Sequence, residues 1–426
     1  MALKRLLAEH AVDTRPLAVP AYKRLLIGQG TAFIGSMLTQ VAVPVQVFDI
    51  SHSSFMVGLV GLVGLVPIVA FGLYGGAIAD SMDRARLYFW SSIGTWLVTL
   101  ALLAQSLLKV NNVGLILTLI AVQSAFFAIS SAARGAIIPR IVPAELVPAA
   151  NTLNFTVGNV GQVLGPLIAG VLVSLRHYGF DISYGIDALL FLTALYSALR
   201  LPPLPPDGTL TKAGLRSVLD GLRFISTNPV LIMSFGVDIV AMVFAMPRSL
   251  FPAAAADRFH GNVGLLYAAI PIGSVLAGLA SAWIGRVSRQ GVALTGAVLG
   301  WGAAVAVSGL ARQLWLVVVL LALAGAADLI SAVLRQTILQ TYAPDEMRGR
   351  MQGVFIAVVA GGPRLGDVRA GAMASLTTVT FSWTFGGIAC VVVVAIAAAL
   401  VRPFWHYQAR RPSGDGVIES AVELDG

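Results

Sequence analysis

A handful of side chains stand where an apolar chain should carry no charge. Asp238 lies mid-way along one long hydrophobic run, Asp328 along another, and Arg364 and Asp367 along a third. An ionised group at mid-bilayer costs on the order of 3 kcal/mol on insertion scales. Such groups are expected to face protein or a water-filled passage rather than lipid. Arg335 follows Asp328 by seven residues, about two helical turns along the same face. A carboxylate's hold on its proton depends on burial and on a neighbouring arginine. A moving bundle that carried Asp238 or Asp328 between two such settings would transport a proton. The other reading is a static ion pair that holds the C-terminal helices together, and the sequence leaves both open. Arg364 and Asp367, at i and i+3, read as a structural pair that cancels its own charge. Asp187, in YGIDALLF near the outer end of a peripheral span, reads as a structural cap.

Arg248 precedes LFP at the outer end of the same run as Asp238. It would attract an anionic substrate, guard an outer gate, or snorkel to the interface. Neutral polar residues recur in the apolar runs: Gln29, Gln40, Gln46, Gln123, Ser124, Asn154, Asn159 and Gln162. They suit either a substrate passage or interhelical hydrogen bonds. Phe126, Phe127 and Phe244 would supply an apolar wall, or packing.

Other chemistries lack their residues. No phosphate-cradling glycine loop ending in Gly-Lys-Ser/Thr is present. Neither the zinc-protease His-Glu-x-x-His nor the Gly-x-Ser-x-Gly elbow occurs. His10, His52, His177, His260 and His406 show no metal-site spacing. No cofactor, no metal and no enzymatic activity are expected. Cys390 is the single cysteine, so no intrachain disulfide can form.

These residues sit in a chain built for lipid. Of 426 residues, 57% are hydrophobic and 11% charged, against about 25% charged in soluble domains. Mean hydropathy is +0.85. Apolar runs beyond 18 residues mark spanning helices, and twelve are expected. They cover about 25–48, 55–79, 87–108, 113–137, 149–175, 183–200, 229–250, 263–284, 291–310, 313–338, 351–376 and 380–401. The net charge of +8 reads as topology-setting basic loops rather than nucleic-acid binding. With the N-terminus in the cytoplasm, only Lys109, Arg176, Arg248, Arg258 and Arg312 fall outside, while Arg364 and Arg369 lie within the eleventh span. Both termini are therefore expected in the cytoplasm of a multi-pass protein of the cell membrane. The first 24 residues are basic without an apolar core, so no leader peptide is expected.

The chain divides into a cytoplasmic segment 1–24, a six-helix bundle 25–200, a linker 201–228, a second bundle 229–402 and a polar tail 403–426. The linker opens Pro-rich and stiff. Leu215, Val218, Leu219, Leu222 and Phe224 then suggest a short amphipathic helix. Phe404, Trp405 and Tyr407 suit a membrane interface. A repeat supports the division. Pro143, Glu145, Gly161, Gly165 and Gly170 recur 201 positions later as Pro344, Glu346, Gly362, Gly366 and Gly371. One segment written twice signals two related halves. Around Pro166 the first copy reads GQVLGPLIAG, small residues that let helix backbones approach closely. The loop GGAIADSMDRAR, from Gly75 to Arg86, sets Gly76, Asp80, Asp83, Arg84 and Arg86 at a helix end. Asp80 suits a neighbouring helix N-terminus. The arginines would hold acidic partners or headgroups, latching two bundles or simply setting topology.

That loop resembles the cytoplasmic signature of the major facilitator superfamily, departing at Ser81 and Ala85. GQVLGPLIAG resembles the fifth-helix motif of its antiporters, with Ala169 for one glycine. AVPVQVF (42–48), LYAAIPIGSVLAG (266–278), ILQTYAPDEMRGRMQGVF (338–355) and GGPRLGD (361–367) resemble its enterobactin-exporter branch of siderophore and drug exporters. The likeness runs from about Tyr22 to Arg402. It implies an all-α membrane protein of twelve helices in two pseudo-symmetric six-helix bundles. Helices 1, 4, 7 and 10 would line a central cavity, and helices 2, 5, 8 and 11 would form the sliding interface. It implies a proton-driven exporter, working as a monomer, of a bulky organic molecule, siderophore or drug. In this reading Gln40, Gln123, Ser124, Asn154, Phe127, Phe244 and Arg248 touch substrate. Asp238, Asp328, Asp367, Arg335 and Arg364 couple protons. The fourth helix carries AVQSAFFAISSA at its middle, without the arginine of many proton-coupled relatives, so coupling by that route is not expected. A non-transporting sensor or scaffold on the same fold is the other class of reading.

Overall fold

A computed structural model describes the backbone of residues 13–175, 178–205, 222–342, 345–401 and 404, with side chains for these except 72–81, 136, 282, 285–286, 340–353 and 356–357. Twelve principal helices follow the expected order. They are α1 (Pro20–Ser51), α2 (Ser54–Ser81), α3 (Arg84–Leu107), α4 (Val113–Ile141), α5 (Val147–Val173), α6 (Gly179–Leu199), α7 (Pro229–Phe244), α8 (Val263–Leu279), α9 (Gln290–Leu310), α10 (Leu314–Tyr342), α11 (Asp345–Leu376) and α12 (Val379–Leu400). Among the described residues there is no strand. Among the described residues, ten helical stretches are long and apolar enough to cross a membrane, and α8 is apolar but shorter. A chain that must satisfy every backbone group inside lipid has helices as its simplest solution.

Among the boundaries that differ from expectation, two have a plain backbone cause. α1 begins at Pro20, five residues early, because proline suits a first helical turn. α7 stops at Phe244, and the chain continues as a 3-10 turn (Arg248–Leu250) and a short helix (Phe251–Arg258). Pro247 and Pro252 remove backbone donors there, so one helix cannot run through.

Packing sorts the helices into two sets. α1 packs on α5 and α6, α3 on α4 and α6, and α2 on α4. In the second set α9 packs on α10 and α12, α8 on α10, and α11 on α7 and α12. Between the sets, α2 lies against α11 and α5 against α8. The interface expected of helices 2, 5, 8 and 11 is therefore present.

The sequence repeat is a repeat of contacts. Gly161 and Gly165 lie against Phe33 and Met37 of α1, within the first bundle. Their counterparts Gly362 and Gly366 lie against Met242 and Met246 at and just beyond the end of α7, within the second. The third member of each set crosses between bundles: Gly170 meets Gly264 of α8, and Gly371 meets Ser54 and Phe55 of α2. At each site a Cβ would fall on neighbouring atoms, so glycine is the residue that allows the approach.

One end of the molecule, the basic face, carries the start of α1 and the α2–α3 turn with Arg84 and Arg86. The bundles meet toward the opposite, far face. Gly58 and Gly61 of α2 meet α11 at Asp367, Val368 and Arg364, and Pro166 and Gly170 meet Gly264. Leu38, Val41, Val45 and Ala169 join the hydrophobic core of the second bundle there. Elsewhere on these helices large apolar side chains are bare: Val66 and Phe155 are each 66% exposed, and Leu279 is 83% exposed.

The expected loop latch is partly relocated. The side chains of Gly76 and Asp80 lie outside the described residues. Asp83 is what caps a helix, accepting from the amides of Ala85 (2.9 Å) and Arg86 (3.0 Å) at the start of α3. Its other oxygen accepts from the amide of Leu204 (2.9 Å). Arg140 donates to the carbonyl of Pro205 at 2.6 Å, and Leu204 is buried. The Pro-rich start of the linker is thus fastened to the first bundle rather than standing as a free spacer. The amphipathic stretch falls mainly on 206–221, and Pro344, Arg402 and most of the tail also lie outside the described residues; so do the side chains of Glu346 and the neighbouring turn.

Candidate functional site

Charge gathers in the second bundle. Arg335 of α10 is ion-paired with Asp238 of α7, and its guanidinium lies 3.9 Å from Asp328, two turns earlier on α10. The Asp238 side chain is 3% exposed and that of Arg335 6%, but that of Asp328 is 32% exposed. One cation is therefore shared between a closed carboxylate and an open one. A buried charge of this kind persists only when paired. The Arg335 Nε also donates to the carbonyl of Ser331 (3.3 Å), which holds the side chain along its helix.

The expected pair of Arg364 and Asp367 is not formed. Asp367 accepts from the Ser249 amide (3.0 Å), and the Ser249 hydroxyl donates to the Asp367 carbonyl (2.8 Å). Arg364 donates to the carbonyl of Ala360 (2.7 Å) on its own helix and lies against Gly61. The break after α7 supplies a better partner for the carboxylate than a neighbour one turn away. Arg369, which drew no role from the sequence, caps the end of α7. It donates to the carbonyls of Val243 (3.3 Å) and Phe244, and to that of Ser382 on α12 (3.3 Å). A cation suits a helix C-terminus, where carbonyls lack partners. The break itself presents Arg248, exposed, one residue before Ser249 that holds Asp367.

The neutral candidates divide. Gln40 is exposed on α1 and Phe127 is 48% exposed on α4. Asn154 on α5 is half-buried, with an Nδ2 that has no hydrogen-bond partner. Gln123 is turned away from any passage, donating to Thr99 of α3 (3.2 Å), and Ser124 faces Gly64 of α2. Phe244 is half-buried and packs against the second bundle's core. Gln46 lines no passage between the bundles. It accepts from Tyr184 (2.7 Å) and from Gln105 (3.1 Å), both within the first bundle. Interhelical bonding wins at Gln46 and Gln123 because each has a polar partner on a facing helix.

Asp187 corrects another expectation. It is no cap at a helix end: it is the ninth residue of α6, 1% exposed, accepting from the Thr39 hydroxyl at 2.5 Å. A peripheral helix gave no signal for this. Gly35 opposite was the available clue, because a Cβ there would lie 2.6 Å from the carboxylate.

Arg335 thus ties α7 to α10 within the second bundle, with one carboxylate closed and one open. Residues 12–424 match the family model described as transmembrane secretion effector. The chain belongs to that family. The transporter is 29% identical over 405 residues to the enterobactin exporter of Citrobacter koseri, covering 93% of this chain and 95% of that one. It is 28% identical over 400 residues to the enterobactin exporter of Escherichia coli K12, covering 92% and 94%. Its fold matches the nucleoside transporter NupG with a TM-score of 0.71 at 13% identity, covering 91% and 99%. It also matches a bacterial homologue of the iron transporter ferroportin, with a TM-score of 0.68 at 13% identity, covering 91% and 99%. The protein is a multi-pass membrane transporter of the major facilitator superfamily and not an enzyme.

Proposed function

We propose that the transporter exports a bulky, catechol-type siderophore across the cell membrane by proton antiport, working as a monomer with both termini in the cytoplasm. The observation that carries this reading is Arg335 held between closed Asp238 and open Asp328. A carboxylate that shares its cation with another can exchange it for a proton as the bundles move. In this reading the basic face is cytoplasmic, and bundles joined at the far face present the passage inward. Rocking about α5 and α11 would then expose it outward. The enterobactin exporters among its relatives favour a siderophore. Exposed Arg248 suits an anionic catecholate, with Gln40, Asn154 and Phe127 along the passage. A second reading, broad efflux of cationic amphipathic drugs, draws on open Asp328 and on exposed Phe127.

The test is efflux of enterobactin from proteoliposomes with and without a pH gradient. Wild type should be accelerated by the gradient, and Asp328→Asn should export without that acceleration. Equal acceleration in Asp328→Asn and Asp238→Asn would remove the antiport mechanism. Export of a cationic dye in place of enterobactin would favour the second reading.

A further inference from the structure

A second buried carboxyl stands in the first bundle, on α6. Between α1, α3 and α6 a column of polar side chains descends from the far face. It starts in a cavity of about 600 Å3 lined by Asp49, Gln46, Ser106, Lys109 and Asp181 among others. There Ser106 donates to Asp181 at 2.5 Å. One turn deeper on α6, Tyr184 donates to Gln46, which is also bonded to Gln105. One turn deeper again is Asp187, with Oδ2 on Thr39 and Oδ1 without a hydrogen-bond partner.

Among the described residues no cation reaches that carboxyl. α5 carries no charged residue, and the charged residues of α1, α3 and α6 are Lys23, Arg24, Arg84 and Arg86 toward the basic face and Asp49 and Asp181 toward the far face, besides Asp187 itself. The groups that face it are Thr39 and Gly35 of α1, with Tyr184 on its own helix; on α3 the Trp96 indole donates to the adjacent carbonyl of Ala188 (2.9 Å). A buried charge with no partner is costly, which ties the state of Asp187 to proton binding. An asparagine would satisfy Thr39 equally well, so hydrogen bonding alone does not account for an acid.

We propose that Asp187 is a proton-binding site of the first bundle, loaded from the far-face cavity through the column of Asp181, Gln46 and Tyr184. The step is reversible: an O–H bond forms at a carboxylate oxygen of Asp187 while a hydronium ion in the cavity gives up its proton. The proposal rests on the proton-antiport reading and adds a loading site outside the central passage.

The test uses the full chain. Wild type and Asp187→Asn are purified in detergent and titrated across the neutral range, and protons taken up per chain are counted. Wild type should take up one proton more; equal uptake overturns the assignment. Should Asp187→Asn fail to fold, wild type is treated with a lipophilic carbodiimide, which adds to protonated carboxyls. Labelling at Asp187 that fades in alkali supports the site, and no labelling at any pH overturns it. In vesicles with enterobactin as the probe, Asp187→Asn should lose most of the stimulation by acid on the far face. Full stimulation in Asp187→Asn, with loss in Asp328→Asn, overturns the Asp187 site and leaves the antiport reading standing. No stimulation in wild type overturns both.

Discussion

The two bundles share a contact plan and differ in how they handle polarity. In the first, depth is occupied by neutral hydrogen bonds: Tyr184, Gln46 and Gln105 form one cluster, and Gln123 reaches Thr99. In the second, arginines and aspartates do the joining: Arg335 with Asp238 and Asp328, Asp367 with Ser249, Arg369 with the end of α7. A neutral network is satisfied by fixed partners and holds its helices in one place. Where two carboxylates share one arginine, as Asp238 and Asp328 share Arg335, one proton can rearrange the pairing. Duplication preserved where backbones touch, while the halves diverged in whether neutral or charged side chains join their helices.

The largest break should come from Arg335→Ala. It leaves Asp238 buried and unpaired, and removing one member of a buried pair costs about 3–5 kcal/mol. Thermal unfolding in detergent should show a large loss, largely recovered in Arg335→Gln combined with Asp238→Asn. A loss that the double variant does not recover would put the effect elsewhere than in the charge.

Gly170→Leu tests the shared contact plan. Its side chain would fall on the backbone of Gly264, and overpacking of this kind costs about 1–3 kcal/mol. Cross-linking between α5 and α8 near the far face should drop, and Gly371→Leu should do the same between α11 and α2. Unequal effects would show that the two crossings are not equivalent.

Gln46→Ala probes the neutral side of the comparison. It strands the Tyr184 hydroxyl and one Gln105 contact, at about 1–3 kcal/mol, and should both lower thermal stability and weaken the stimulation of transport by far-face acid, because the proposed route to Asp187 runs through Gln46. An unchanged pH profile would remove Gln46 from that route.

The smallest effect is expected at Asp83→Ala, which removes a helix cap worth about 1 kcal/mol and the bond to Leu204. Proteolysis between the bundles should begin earlier in the chain, near 204, where wild type is protected. Unaltered cleavage would mean that Leu204 and Arg140 suffice to hold the connector.

Much of this was legible in the residues themselves. Runs of apolar side chains long enough for lipid give the helices, since spanning length and backbone satisfaction are local demands. The 201-residue repeat of glycines gives two related halves, because a close backbone approach admits few other residues. Asp238, Asp328 and Arg335 stand out because charge in hydrocarbon must have a reason. What tertiary structure alone decided is who faces whom. Arg335 chose Asp238 over its own-helix neighbour, Asp367 chose the break after α7 over Arg364, and Asp187 turned out to lie deep against Thr39 rather than at a helix end. Each choice depends on the rotation and depth of a second helix, and periodicity along one chain carries no record of either.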